Sequence, residues 1–316
     1  MKHLYFCACT EEGGIYHYTL ENDKLTFCDR IALDKPMYIA VEGKKVYVIL
    51  KETYADTKFG SAVSFDIDET GKLINPSKAV SSMGVVPCHL SVVSGEVYTV
   101  NYLSGNVVKL PDTVSAHSGK GPHPTRQTEA HTHFVSPTPD GKYILCTDLG
   151  VDSIFTYTLD LKQISVAKVP AGYGARHLAF SADQKLVYCV NELVSSVSVF
   201  EYDDGKLTLC GTYECLPDFK EKNTAAAIRV EGKYLYISNR GADTITRLEI
   251  DGNRLRLLEN TPCGGKNPRD FLIVDDLMFC TNEFTNDVTV LKMVDGKPVL
   301  TNTKLEMPNP LCVVAV

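Results

Sequence analysis

The 316-residue chain is predicted to be all-β, a single seven-bladed β-propeller over residues 1–316 closed by its own carboxy-terminal strand. Three observations carry this. A short apolar strand opening recurs seven times, at intervals of roughly 42 to 51 residues, the range of propeller blades. The segments alternate, as in Ser196-Val197-Ser198-Val199-Phe200, or run β-branched and aromatic between Gly, Asp, Asn and Pro, and no window sustains helical spacing. The seventh opening falls at the end of the chain, with no further strands after it.

Taken in order, YFCACT, IYHYTL and LTFCDRI supply a second, third and fourth strand but no first. The openings then follow as PMYIAV, PCHLSV, THFVSP, RHLAFS, AAIRV, RDFLIV and LCVVAV, with Tyr38, His89, His133, His177, Ala227, Asp270 and Cys312 just before the first core residue. Each leads through a turn, often of the D-G-K kind, to a second strand of the Y-L-Y-x-S-N type and then a third. LCVVAV is expected to be the missing first strand of the amino-terminal blade, where its pairing removes an exposed sheet edge. The segment from Pro111 to Ala130, rich in Ser, Gly, Pro and His, reads as a long loop in place of a regular fourth strand. Long loops are either mobile insertions or functional, and this one leads directly into His131-Thr132-His133.

Composition narrows the partners. A hydrophobic fraction of 44% with 22% charged residues is that of a compact globular chain. The eleven cysteines are odd in number, and Cys7, Cys9, Cys146, Cys189, Cys280 and Cys312 lie in apolar strand runs, where they read as reduced core thiols. Neither Cys7-x-Cys9 nor Cys210 with Cys215 has the spacing of a structural zinc site. The amino-terminal apolar run is too short for a signal peptide and no stretch approaches a membrane span, so a cytoplasmic protein without a membrane partner is expected. A net charge of -7 without a basic run argues against nucleic acid, and any anion site must be a local concentration of arginines.

In a four-stranded blade the first strand is innermost, and antiparallel pairing puts its start beside the end of the second strand, at one mouth of the channel. The strand-one starts are His89, His133, Arg176, His177, Arg269 and Asp270. The strand-two ends are Asn101, Asp148, Asn191, Glu192, Asn239, Arg240, Asn282 and Glu283. Ionisable residues from distant positions thus meet on one concave face, the arrangement catalysis uses. The Asn and Asp residues are equally suited to closing the turn into the third strand. His177, beside Leu-Ala-Phe, fits a packing role as well as a chemical one. His89, His133 and Glu192 also admit a metal reading, although no tight ligand motif supports it.

Several segments carry a resemblance: PCHL with NYLSGNV, HSGKGPHPTRQTEAHTHFVSPTPDGKYILCTDLGVD, GYGARHLAFSADQKLVYCVNELVSSVSVFEYD, SNRGADTI, and GKNPRDF with NEFTNDV. They are similar to the propeller lactonase family, which includes bacterial 6-phosphogluconolactonases and a fungal carboxymuconate-lactonizing enzyme. The likeness covers nearly the full chain and is most specific in R-H-L-A-F with V-N-E-L and in G-P-x-x-x-R-Q-x-x-x-H-x-H. It implies a site containing His133, Arg176 and Glu192, with a further arginine at Arg240 or Arg269. It also implies hydrolysis of a phosphosugar lactone, as in the 6-phosphogluconolactonase step of the pentose phosphate pathway.

On that expectation Glu192 or His133 is the base and Arg176 the oxyanion stabiliser. Arg240 and Arg269 grip the anion, and His89, Asn101, Asp148, His177 and Glu283 complete the substrate-binding ring, with no metal or redox cofactor required. A carboxymuconate-type lactonizing enzyme would place the same arginines on carboxylates. A non-catalytic binding module is the third alternative, although the absence of Trp removes the WD-repeat signature. The opening with Ala226-Ala227 lacks a His or Arg pair, so the ring should be lopsided, with substrate towards blades three to five and seven.

Overall fold

A computed structural model describes residues 1–51 and 54–316, which contain strands and turns and no helix. They form seven antiparallel sheets. Blade 1 runs from the channel outward as Pro310–Ala315, Lys2–Ala8, Gly14–Glu21 and Lys24–Ile31, so the carboxy-terminal strand closes the amino-terminal blade. The innermost strands of blades 2 to 7 are Pro36–Glu42, Pro87–Val93, Thr132–Pro137, Ala175–Phe180, Thr224–Glu231 and Pro268–Val274. They contact one another in chain order, and the last contacts Pro310–Ala315, which in turn contacts Pro36–Glu42, completing the ring.

The apolar runs of the middle strands follow from burial on both faces. In Leu186–Asn191, Val187 and Cys189 pack towards blade 4 with Leu145 and Ile154, whereas Tyr188 and Val190 pack towards blade 6 with Ile228 and Leu248. The same division holds around the ring, so the core is a circle of seams between neighbouring sheets. The seam between blades 7 and 1 contains Leu4, Phe6, Phe279, Val288 and Val313, with Phe6 edge-on to Phe279 at 6.4 Å. At the closure itself Cys7 stands opposite Cys312, and His3 and Val316 exchange two backbone hydrogen bonds of 2.9 Å. Burial pushes the Cys7 and Cys312 thiols up, which keeps them neutral.

One sequence expectation needs correction. The Pro111–Ala130 segment does contain a fourth strand, Thr113–Ala116, paired with Asn106–Lys109; its alternating Thr-Val-Ser-Ala is short but sufficient, and the irregular loop begins after it. The irregular sheet is blade 2 instead, where Leu73–Ile74 and Val80–Ser81 both pair with Ser61–Ile67. Asn75, at a φ of 51°, and the following Pro76 interrupt what would otherwise be one strand.

A feature that spacing cannot reveal recurs in all seven blades. The ladder between the first two strands slips near the start of the innermost strand, skipping Leu311, Met37, Cys88, His133, Arg176 with His177, Ala226 with Ala227, and Arg269. A bulge of this kind re-aims a side chain that regular alternation would send elsewhere. Four blades share a second device at the end of strand two. Asn101, Asn191, Asn239 and Asn282 each donate from Nδ2 to oxygens on or beside the following strand, bracing the hairpin.

Removal of residues 310–316 is expected to uncover both the Lys2–Ala8 edge and the seam around Phe6. Size-exclusion chromatography and thermal unfolding should show self-association and loss of a cooperative transition.

Candidate functional site

The bulges and the residues that follow the hairpin braces meet at one mouth of the channel. They enclose a cavity of about 280 Å³. Bulged positions contribute Met37, Cys88, His133 and Arg269, and positions just after the strand-two braces contribute Tyr102, Glu192 and Arg240. The remaining polar wall is Arg126, which comes from the loop before blade 4.

Glu192 is the hub, with a side chain only 2% exposed. Its Oε1 accepts from Arg126 Nη2 at 2.6 Å, and its Oε2 accepts from Arg176 Nε at 2.9 Å and lies 3.1 Å from Arg240 Nη2. Burial by itself would raise the carboxyl pKa, but the guanidiniums of Arg240, Arg176 and Arg126 outweigh it and hold Glu192 well below the carboxylate range. Burial and the neighbouring Arg240 pull Arg176 down to about 9, still protonated at neutral pH. His133 Nε2 lies 3.9 Å from Glu192 Oε2, and burial together with Arg176 pushes the His133 pKa well below its ordinary value, leaving a neutral imidazole.

Arg269 is held loosely, 3.7 Å from Glu283, whose Oε2 also accepts from Asn267 Nδ2 at 2.7 Å. Four guanidinium groups, of Arg126, Arg176, Arg240 and Arg269, therefore face two carboxylates, of Glu192 and Glu283, an excess of two positive charges. Arg176 Nη1, Arg240 Nε and His133 Nδ1 are buried without a protein hydrogen-bond partner.

The loop that delivers Arg126 is fixed at several points. Gln127 Nε2 donates to Leu149 O at 2.8 Å and to Asp152 Oδ1 at 2.7 Å, and its Oε1 accepts from the His123 backbone at 3.0 Å. His117 bridges Asp148 Oδ2 and the Tyr157 hydroxyl at 2.7 and 2.5 Å. His131 stacks on Tyr102 with ring centroids 4.4 Å apart, and the Tyr102 hydroxyl accepts from Arg126 at 3.2 Å.

The structure brings His133, Glu192, Arg240 and Arg269 to the cavity wall, with Glu283 behind Arg269. Arg176 lies behind Glu192 and off the wall, so it orders the carboxylate and does not face the space a substrate carbonyl would occupy. His89 and His177 sit deeper in the channel. His89 is packed between Tyr38 and Phe134 at 4.2 Å each, and His177 stands 5.4 Å from His133 and 5.2 Å from His89. Among the described residues His89, His133 and Glu192 do not converge as a set that could hold a metal ion.

Asn101 and Asp148 lie outside the cavity. Asn101 donates to Ser82 O and Asn106 Oδ1, both at 2.8 Å, and Asp148 Oδ1 accepts the backbone N–H groups of His131 and Gly150. The Asn101 amide nitrogen and the Asp148 carboxylate are thus spent on bracing turns, away from the cavity wall. Asp270, next to Arg269, pairs with Arg229 at 2.7 Å inside the channel. The expectation of an idle blade 6 is half met: its Ala226-Ala227 bulge is inert, but its second strand supplies Arg240. The residues missed from the sequence are Arg126, Tyr102, Cys88 and Met37. Arg126 is the arginine of G-P-x-x-x-R-Q-x-x-x-H-x-H, and Tyr102 follows Asn101 as Glu192 follows Asn191, so both had a visible signal.

Comparison with known proteins agrees with the propeller fold. The profile of the family described as "Lactonase, 7-bladed beta-propeller" matches residues 3–315. The chain is 30% identical to the 6-phosphogluconolactonase of Bacillus subtilis over 329 residues, covering 95% of this chain and 93% of that protein. A Lactobacillus plantarum protein of solved structure superposes with a TM-score of 0.91 at 29% identity over the full length of both chains. The periplasmic gluconolactonase of Pseudomonas aeruginosa superposes at 0.89 with 25% identity, covering 100% of this chain and 99% of that one.

Glu192→Gln strips the shared counter-charge from three guanidiniums and should cost about 3–5 kcal/mol in denaturant unfolding at pH 7. Because the folded-state pKa of Glu192 is depressed, its stabilising contribution is present above the unfolded carboxyl value near 4.5 and is lost as pH falls towards the folded value. The stability gap between wild type and Glu192→Gln should therefore narrow below about pH 4.5, as unfolding measured across pH 3–7 would show.

Proposed function

The chain belongs to the lactonase family of seven-bladed β-propellers, and we propose that it hydrolyses an anionic sugar lactone, 6-phospho-D-glucono-1,5-lactone, to 6-phosphogluconate. The observation that carries this reading is the excess of two positive charges around a cavity of about 280 Å³. Such a cavity is near the lower end of small-molecule sites, which run from roughly 300 to 1,000 Å³, and suits a single sugar ring. The name and near-complete coverage of the Bacillus subtilis relative support the phosphorylated substrate.

Hydrolysis requires a base for water, positive charge where the carbonyl oxygen becomes an oxyanion, and a proton for the departing ring oxygen. His133 is the base. Glu192 has its oxygens committed to three guanidiniums, whereas the His133 ring lines the cavity, has no protein hydrogen-bond partner on Nδ1, and has Glu192 3.9 Å from its Nε2 to stabilise the imidazolium that forms. Arg240 and Arg269 face the cavity and offer cationic donors to the oxyanion. Water adds to the carbonyl carbon as His133 takes its proton. The intermediate then collapses with cleavage of the bond between the carbonyl carbon and the ring oxygen. The ring oxygen receives the proton from His133 and leaves as a hydroxyl, and the new acid ionises, releasing one proton to solvent.

The test is acid release by purified protein, with chelator present, above the spontaneous rate on 6-phosphogluconolactone. A panel of unphosphorylated and carboxylated lactones run alongside separates this reading from a carboxymuconate-type activity, and no acceleration on any of them would remove it. His133→Ala should lower kcat by about 10²–10⁴-fold while the protein stays folded. The wild-type kcat/KM should be level from pH 6.5 to 8 and fall only at lower pH, because burial depresses the His133 pKa and leaves the base form in place throughout the neutral range. Arg269→Lys keeps the charge but loses the planar fork, and should reduce kcat/KM by about tenfold or more in steady-state assays.

A further inference from the structure

The cavity at the mouth does not end at its own wall. A second cavity of about 370 Å³ adjoins it and shares Arg126 and Arg240 with it. Beyond those arginines the outer space is lined by Lys222, on the loop entering the innermost strand of blade 6, and Lys266, on the corresponding loop of blade 7. Asp243 is its one carboxylate among the described residues, and that group is occupied. Its Oδ1 accepts the N–H of Asn267 at 2.8 Å and of Gly241 at 3.3 Å, and its Oδ2 lies 3.7 Å from Lys266.

The neighbouring asparagines are equally committed. Asn223 donates to Ser195 Oγ at 2.6 Å and accepts from the Ala242 N–H at 2.9 Å, and Asn267 donates to Glu283. They fix the two loops and leave the lysines as the polar groups able to turn to a ligand. Lys222 has no ion pair among the described residues, and the Lys266 side chain is 71% exposed. Arg240, by contrast, is 10% exposed and sits at the seam between the two spaces.

We propose that this outer vestibule is the phosphate-selecting subsite: the lactone ring occupies the inner cavity, and the phosphate passes between Arg126 and Arg240 to be held by Lys222 and Lys266. The proposal rests on the reading of the inner cavity as the site of lactone hydrolysis. Ammonium groups are compact, rotatable donors that hold a phosphate as point charges, whereas the guanidiniums of Arg126, Arg176 and Arg240 are already tied to Glu192 and Arg269 lies on the inner cavity, outside the vestibule lining. Selection between phosphorylated and unphosphorylated lactones thus lies on two lysines remote from the reacting carbonyl.

The experiment compares wild type, Lys222→Ala/Lys266→Ala and Lys222→Arg/Lys266→Arg. Steady-state kcat/KM is measured on 6-phosphogluconolactone and on glucono-1,5-lactone, and binding of 6-phosphogluconate and of gluconate is followed by calorimetry. The alanine pair should reduce the preference for the phosphorylated lactone by roughly ten- to hundredfold and weaken 6-phosphogluconate binding by a similar factor, and the arginine pair should recover most of both. An unchanged preference, or an equal fall on both lactones, overturns the vestibule assignment while leaving the hydrolysis intact. If wild type hydrolyses neither lactone, the proposed reaction fails and calorimetry decides the vestibule separately: phosphate-dependent binding lost in the alanine pair retains it as an anion subsite, and unaltered binding overturns it.

Discussion

One buried carboxylate organises the mouth of this propeller. Glu192 draws together guanidiniums from the loop before blade 4, from the bulge of blade 5 and from the second strand of blade 6. A carboxylate this deeply buried would be expensive to ionise without partners, and three clustered arginines would repel one another without it. Each is tolerable only because of the other. The consequence reaches past the ion pairs themselves: Arg126 is held over the cavity, Arg240 is held at its rim, and an ionised carboxylate stands beside the imidazole of His133, which burial and Arg176 keep neutral. The same commitment ties up both Glu192 oxygens, which is why the proposed reaction takes His133 as its base.

The ring supplies the rigidity this arrangement needs. Every blade is packed on both faces, so the strand starts that carry Met37, Cys88, His133 and Arg269 cannot shift independently of their neighbours. The bulges near those starts turn side chains out of the ladder towards the channel mouth. Repetition gives seven equivalent places, and the chain fills them unequally: cationic or titratable in blades 4, 5 and 7, apolar at Leu311, Met37 and Ala226. The asymmetry gives one side of the mouth its charge and leaves the other as a wall.

Much of this was legible in the sequence because propeller strands are apolar on both faces and separated by turn residues, which makes the repeat visible. The closing strand, the seven openings and the convergence of His133, Glu192, Arg240 and Arg269 all follow from spacing and antiparallel geometry. Spacing fails where two candidates are adjacent. It cannot tell Arg176 from His177, or Arg269 from Asp270, because the bulge that decides which one turns outward leaves no periodic trace. Asn101 and Asp148 have the composition of site residues, yet the Asn101 amide nitrogen and the Asp148 carboxylate are engaged within the scaffold, away from the cavity. Arg126 reaches Glu192 from 66 residues away along a non-repetitive loop, a contact set by the side-chain anchors of Gln127 and His117 and not by any register.

The most direct measurement of the central claim is a crystal structure of the protein with 6-phosphogluconate bound. The account predicts the product carboxylate in the inner cavity, within hydrogen-bonding distance of His133 and of Arg240 or Arg269, with Glu192 still bound to its arginines and the phosphate directed outward past Arg240. Ligand found only on the outer surface of the ring, or a Glu192 carboxylate released from its arginines to contact the carboxyl carbon, would contradict it.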